Sequence, residues 1–244
     1  MSYQTFAQVY DAIMDDSLYE RWGHYVDQQL QNKGQRLLEL ACGTGALAVT
    51  LKKRGYDVTG LDLSPNMLSL ANERALSAGL QLPLIEGDML DLSEVGEFEV
   101  VTCFSDSICY MPDEEAVLGV FKEVSKILGS TGTFLFDVHS TYQVDEIFPG
   151  YMYNDQSEEI SFLWKSYSGE TKHSIEHDLT FFVYDKETDL YERYDETHKE
   201  RTYSLQTYYE MLKQAGFSSI KAYSNFGDCE VEKESVRWFF ACSK

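Results

Sequence analysis

Basic residues are scarce in this 244-residue chain. Twenty Lys and Arg stand against 41 Asp and Glu, for a formal net charge of −21 and a pI of ≈ 4.5. Binding nucleic acid through broad phosphate neutralisation requires a basic surface, as does docking on an anionic membrane, so neither partner is expected. Long apolar runs are also missing, and none approaches the ~20 residues of a membrane span. The opening stretch, MSYQTFAQVYDAIMDD, is acidic and polar and does not read as a signal peptide. The five cysteines (Cys42, Cys103, Cys109, Cys229, Cys242) are scattered without C-x-x-C spacing. A disulfide framework or a zinc site is therefore not expected, no metal is assigned, and a reducing cytoplasm is the simplest compartment. There is no internal repeat and no low-complexity segment. What remains is an ordinary globular composition, 43% apolar and 25% charged, long enough for one large α/β domain or a domain with a lid.

Residues 1–33 are rich in aromatic and acidic residues, and their apolar spacing suggests one or two short helices. Strands and helices then alternate. RLLELA (36–41), YDVTGLDLS (56–64), LPLIEGDMLDL (82–92), FEVVTCFS (98–105) and GTFLFDVHS (132–140) read as strands. GALAVTLKKRG (45–55), SPNMLSLANERALSAG (64–79) and DEEAVLGVFKEVSKILG (113–129) read as helices, the second with a Ser cap, Pro at its first position and Gly after its end. Such alternation predicts a parallel sheet with helices on both faces. Residues 141–200 instead carry hairpin-like segments, ISFLWKSY, HSIEHDLTFFVYD and LYERYDETHKERTY, and hold 15 acids and 5 bases. A helix (204–215) and a strand pair (217–224, 236–243) follow.

Three positions carry chemistry. Gly43-Thr44-Gly45 joins the first strand to the first helix, where small residues admit close backbone approach and the helix N-terminus offers free N–H groups. GTGALA (43–48) fits G-x-G-x-x-G/A, a pattern that a ligand-free tight turn also satisfies. Asp62 ends the second strand, where a carboxylate can accept from both hydroxyls of a ribose; Ser64 fills the helix-cap role better, leaving Asp62 free. Glu39 lies four residues before Gly43, where a dinucleotide-binding strand is normally apolar, and can meet a ligand's ammonium group. Downstream, Gly87-Asp88-Met89 could bracket an adenine ring.

Together, ELACGTGALA, GLDLSPNML, EGDMLDL and FEVVTCFSDSICYM resemble the successive motifs of class I S-adenosylmethionine-dependent methyltransferases of the small-molecule type. The resemblance covers roughly residues 6–140 and resumes at 201–243. It implies a Rossmann-like α/β fold: a mostly parallel sheet with an antiparallel last strand, helices on both faces, and a β-rich antiparallel insert. The implied organisation is a helical cap and cofactor-binding core (1–140), a substrate lid (141–203), and a C-terminal helix with the last strand pair (204–244). The implied cofactor is S-adenosylmethionine. By this resemblance Glu39, Ala41, Gly43 and Gly45 line its methionine part, Asp62 holds the ribose, and Leu63 and Met67 lie near the adenosine. Asp88 and Met89 meet the adenine, and Cys103 and Phe104 face the sulfonium. Tyr10 and Trp22 cover the cofactor, with ordinary helix packing as the competing reading. Ala41 departs from the family's glycine, with little loss of binding expected because Ala is small.

On the acceptor side the candidates are Asp106, Tyr110, His139, His198 and Arg201. Asp106 and His139 follow the fourth and fifth strands, at the carboxyl edge where ligands sit, and are the catalytic candidates. His139 has the neutral-range pKa of a base, or is a satisfied surface histidine. Tyr110, His198 and Arg201 are assigned to substrate, although pairing with a local acid is the favoured reading for Arg201. No N/D-P-P-Y/F motif follows the fourth strand and no Pro-Cys pair is present, which disfavours the usual nucleobase chemistries. Ten of seventeen tyrosines lie in 141–210, in keeping with a covered pocket for a small molecule. The expected activity is methyl transfer to N or O of a small molecule, in the cytoplasm, with a homodimer left open. The alternatives are an NAD(P)-dependent oxidoreductase or a non-catalytic cofactor-binding protein on the same fold, and an RNA acceptor stays open.

Overall fold

The computed structural model describes residues 16–30 and 32–244. Helix α1 (Asp16–Gln29) leads into strand β1 (Arg36–Leu40), whose last four side chains are all buried. Then follow α2 (Ala46–Lys53), β2 (Asp57–Asp62), α3 (Pro65–Ser77), β3 (Leu84–Glu86), β4 (Phe98–Cys103), α4 (Glu114–Ile127) and β5 (Leu128–His139). The expected start signals are used: Ser64 accepts from the Met67 N–H with Pro65 at the first turn, and Asp113 accepts from the Ala116 N–H. Strands β1 to β5 pair in parallel in the order β5-β4-β1-β2-β3. After the second sheet come α5 (Leu205–Gln214), β10 (Ser219–Ser224), β11 (Cys229–Glu230) and β12 (Arg237–Ser243). Strand β12 inserts antiparallel between β5 and β10, completing eight strands. The expected α/β architecture, parallel with an antiparallel late strand, is what forms.

Helices cover both faces. On one, α4 and α5 bury Phe121, Tyr208 and Met211 against Phe134, Phe136 and Phe240; the Phe136 and Phe240 rings stack at 4.6 Å. On the other, α1 and α2 bury Trp22, Tyr25, Leu47 and Leu51 against Leu37, Val100 and Phe239. Among the described residues no helix is long and apolar enough to cross a membrane.

Between β5 and α5 a second, fully antiparallel sheet forms from β6 (Met152–Gln156), β7 (Ile160–Ser168), β8 (Ser174–Asp185) and β9 (Leu190–Arg201). Directly opposed residues share a face, so Ser166, His177 and His198 project to one side, with Trp164, Leu179, Glu196 and Glu200. Phe162 and Phe181 of that face stack at 4.8 Å and gather Met67 of α3 against them. The inner face thus rests on the carboxyl-end side of the parallel sheet.

Candidate functional site

At the carboxyl ends of β1 and β4 a small cleft opens between α1 and the loop 41–45. Glu39, Gly43, Trp22 and Phe104 line it, with Tyr19 and Ser105. The loop turns sharply: Gly43 (φ +52°) and Gly45 (φ +73°) occupy the left-handed region that favours glycine. A Cβ on Gly43 would point into open space, whereas one on Gly45 would lie 2.8 Å from the Ala71 Cβ in α3. Ala41 is also left-handed (φ +51°), so the family's glycine is replaced here at a conformational cost of about 1–2 kcal/mol. That cost falls on the loop, a consequence that side-chain size alone does not reveal.

Asp62 anchors the loop. Its Oδ2 accepts from the Gly43 N–H (2.8 Å) and its Oδ1 from the Ser64 N–H (2.9 Å), leaving further lone pairs. Glu39 is 4% exposed and its Oε2 has no hydrogen-bond partner. Burial, and then the charge of Asp62, push its carboxyl well above the usual range. A buried carboxylate without a partner asks for a cationic or donor ligand. The group implied by the sequence carries an ammonium, which Glu39 suits, and ribose hydroxyls, which Asp62 suits, so these residues fit it.

Other expected positions are distributed differently. Leu63 is 71% exposed, and Met67 packs against the second sheet. The Asp88 side chain accepts from the Leu90 N–H, while Met89 packs against the main core. The Cys103 side chain is wholly buried in that core, while Cys42, Phe104 and Ser105 line the cleft. Trp22 both packs and lines: its Nε1 donates to Asp137 Oδ2 (2.7 Å) and its ring meets Phe104 and Phe226. Tyr10 lies outside the described residues.

Beside the cleft lies a buried polar cluster. Ser105 and Asp106 are consecutive left-handed residues (φ +57° and +52°) that turn the chain at the end of β4, and the Asp106 N–H donates to Asp137 Oδ1 (2.9 Å). Asp106 and His139 do meet, Oδ1 to Nε2 at 3.5 Å. His139 Nε2 also lies 3.4 Å from Glu200 Oε2, and Arg237 bridges Asp106 (2.6 Å) and Asp137 (3.1 Å). Arg237 pairs with His139 in the β12–β5 register, which places it there. On the inner face of the second sheet, His177 Nε2 lies 3.7 Å from Glu200 Oε1, and its Nδ1 meets Ser166 Oγ (2.8 Å) and Trp164 Nε1 (3.1 Å). Phe148 packs edge-on against both His139 and His177.

Charge in the cluster is unevenly shared. Burial pulls His139 down to about 3 and His177 down to about 4, so both are neutral in neutral solution. This corrects the neutral-range base expected of His139, and its 8% exposure removes the surface-histidine reading. Burial pushes Asp106 up, but His139 and Arg237 outweigh it and hold Asp106 below the usual carboxylate range. Since His139 is itself uncharged near pH 7, Arg237 is the partner that keeps Asp106 ionised. Burial, then Asp106, push Glu200 well above its usual range. Asp106, His139 and Glu200 each bring one ligand atom within 4.8 Å of the others. The guanidinium on Asp106 already supplies a cation there and argues against a divalent metal.

Tyr110 and His198 also come together, OH to Nδ1 at 3.0 Å. Arg201 does not join them. Opposite Ser174, it projects to the other face of β9, with its guanidinium 4.9 Å from the Tyr203 ring and its buried Nε unpartnered. It makes no ion pair among the described residues, against the expected local acid. Sequence reasoning passed over Glu200, His177 and Arg237. The signal for Glu200 was present: strand alternation puts it on the face of His198, and Arg201 on the other.

A family model described as a methyltransferase domain matches residues 37–132. The provisionally assigned methyltransferase YqeM of Bacillus subtilis (strain 168) is 39% identical over 245 residues, covering 100% of this chain and 98% of that protein. Among solved structures, an S-adenosylmethionine-dependent methyltransferase from Clostridium acetobutylicum ATCC 824 superposes with a TM-score of 0.85 at 29% identity, over 99% of this chain and 98% of the other. The sugar N-methyltransferase KedS8 from Streptoalloteichus sp ATCC 53650 shares the fold, with a TM-score of 0.78 at 21% identity, over 98% of this chain and 92% of the other.

Proposed function

As a member of the class I S-adenosylmethionine-dependent methyltransferases, this chain, we propose, transfers a methyl group to a nitrogen or oxygen of a small molecule. The observation that carries the reading is the contiguity of two buried sites. A cleft holding the unpartnered Glu39 adjoins, through Ser105-Asp106 and the Trp22–Asp137 hydrogen bond, a polar cluster roofed by the second sheet.

In this reading Glu39 and the loop at Gly43 and Gly45 hold the amino-acid end of S-adenosylmethionine, Asp62 holds the ribose hydroxyls, and Phe104 and Trp22 exclude water beside it. When bound, the cofactor supplies an electrophilic methyl group on a sulfonium: the acceptor–carbon bond forms as the carbon–sulfur bond breaks and sulfur keeps the electron pair. The protein's part is alignment and dryness. Arg237 fixes Asp106 and Asp137, and neutral His139 presents a ring nitrogen able to accept a hydrogen bond from the acceptor. The insert 141–203 acts as a lid whose aromatic inner face, with Phe148 and Trp164, covers the acceptor; such a roof suits a small molecule better than a polymer. KedS8, by its name, methylates sugar nitrogen, in keeping with this class of acceptor.

Calorimetry with S-adenosylmethionine and with NAD(H), followed by methyl-transfer assays on small amines, small acids and undermodified tRNA, tests the reading. Binding of the first cofactor alone and turnover of a small molecule are expected; turnover confined to tRNA would overturn the acceptor class. Asp62→Ala is expected to weaken cofactor binding by about 1–3 kcal/mol.

A further inference from the structure

Among the described residues no Lys or Arg pairs directly with Glu200, the third carboxyl of the buried cluster. Arg237 is committed to Asp106 and Asp137, at 2.6 and 3.1 Å. Glu200 is 5% exposed, and its Oε2 has no hydrogen-bond partner. Around it stand His139 (3.4 Å), His177 (3.7 Å), Asp106, a hydrogen-bonding Tyr110 and, beyond ion-pair distance, the Arg237 guanidinium. Neither imidazole brings positive charge near pH 7, and the Nε2 of His177 is likewise without a hydrogen-bond partner. Asp106, Asp137 and Glu200 are three carboxyl groups set against the one guanidinium of Arg237, so a ligand that balances this place is cationic. A hydroxyl would fill one hydrogen bond; an ammonium does so and also stabilises the ionised form of a carboxyl that burial otherwise keeps protonated. The rings of Phe148 and Trp164 pack against His177 at 4.8 and 5.3 Å and give the place an aromatic surround.

A line of hydrogen-bonding groups also leads outward from Glu200. The Tyr110 hydroxyl that meets it lies 3.0 Å from His198 Nδ1, and His198 Nε2 lies 3.0 Å from Glu196 Oε2. The Glu196 side chain is 24% exposed at the rim.

Building on the methyl-transfer reading of this site, we propose that the acceptor is an amine, received as an ammonium ion by Glu200, which takes one proton and passes it through Tyr110 and His198 to Glu196. As an N–H bond of the ammonium breaks, its electron pair stays on nitrogen as the nucleophilic lone pair, and an O–H bond forms on Glu200. Glu200 then gives this proton to the Tyr110 oxygen while Tyr110 gives its own to His198 Nδ1 and His198 Nε2 gives its proton to Glu196, whose partly exposed carboxyl loses it to solvent. Tyr110 and His198 each make one bond and break one, and both finish uncharged. The raised proton affinity of Glu200, from burial and then from Asp106, suits it to this removal.

The test uses the full chain, saturated with S-adenosylhomocysteine, and amines paired with alcohols of the same skeleton, such as benzylamine with benzyl alcohol and glucosamine with glucose. Calorimetry in two buffers of different protonation enthalpy reads affinity and proton release. At least one amine is expected to bind tenfold tighter than its alcohol, with a proton released; Glu200→Gln is expected to lose both the preference and the release. Tyr110→Phe, changed on a half-exposed ring, is expected to keep the preference and to slow indicator-dye proton release about tenfold in stopped flow. Alcohols bound as tightly as amines, or an undiminished preference in Glu200→Gln, would overturn the proposal. So would tight zinc binding that Glu200→Gln abolishes, which would give the carboxylate another occupant. Unchanged release in Tyr110→Phe would overturn the proton path. A chain that binds S-adenosylhomocysteine but prefers alcohols sinks the amine assignment alone, whereas failure to bind S-adenosylhomocysteine sinks the methyl-transfer reading.

Discussion

Glu39 and Glu200 illustrate how single residues can serve a ligand at the expense of the empty fold. Each is a carboxyl whose protonation range is raised by burial. Folding therefore takes up protons at these two sites above the ordinary carboxylate range, and their contribution to stability is lost as pH rises. Glu39→Gln removes that cost: a gain of about 1 kcal/mol, or a Tm rise of about 2–4 °C, is expected in the cofactor-free protein, with cofactor affinity at least tenfold weaker. Scanning calorimetry and ligand titration read the two effects separately. The buried histidines run the other way. His177 falls from an ordinary value of 6.5 to about 4, so the unfolded chain binds the proton first, and stability is lost as pH drops through that window. The stability advantage of the wild type over His177→Gln is expected to shrink by up to about 1.4 kcal/mol per pH unit between pH 6.5 and 4, read from urea midpoints. These residues also mark how far the sequence could be read. Glu39 was visible because a charged residue interrupts an apolar strand before a glycine turn, and Asp62 because it ends the next strand ahead of a Ser-Pro helix start. Glu200 sits among many acids in YERYDETHKER, and only the pairing of β9 with β8 distinguishes the buried one.

At the level of elements, the central parallel strands β1 and β4 were legible because both of their faces are buried and glycines lie close before them. Strand β6 was not: every side chain of MYNDQ is exposed, so no apolar alternation announces it. Strand β5 starts at Leu128, directly after α4, because Leu128 pairs with Phe98 across a register shift; GSTG reads locally as a loop. The ordering of the site depends on β12. Its Arg237, lying across from His139, neutralises the two buried aspartates of the preceding strand ends. Arg237→Met leaves Asp106 and Asp137 uncompensated, and a loss of about 3–5 kcal/mol in denaturant unfolding is expected. Gly45→Ala forces a Cβ to within 2.8 Å of the Ala71 Cβ in a left-handed turn and is expected to cost about 1–3 kcal/mol while moving α2 away from α3. Amide exchange in α2 checks the movement.

For the whole molecule, the excess of acids is the dominant long-range force. Nearly half of the −21 falls in residues 141–200, a stretch that supplies the second sheet, where it repels itself as well as polyanions. Raising ionic strength from about 10 to 150 mM shortens the screening length to about 8 Å and is expected to raise Tm, most of it through that sheet; equal Tm at both salts would remove the repulsion argument. The order of pairing along the chain carries a kinetic consequence. Strands β6 to β9 close on their neighbours through short turns, whereas β12 must find β5 across roughly a hundred residues, His139 to Arg237. The second sheet therefore assembles early and the β5–β12 seam late. Until that seam closes, Asp106 and Asp137 have no guanidinium between them. The slow phase of refolding is thus the one that acidic conditions, by protonating those carboxyls, should accelerate.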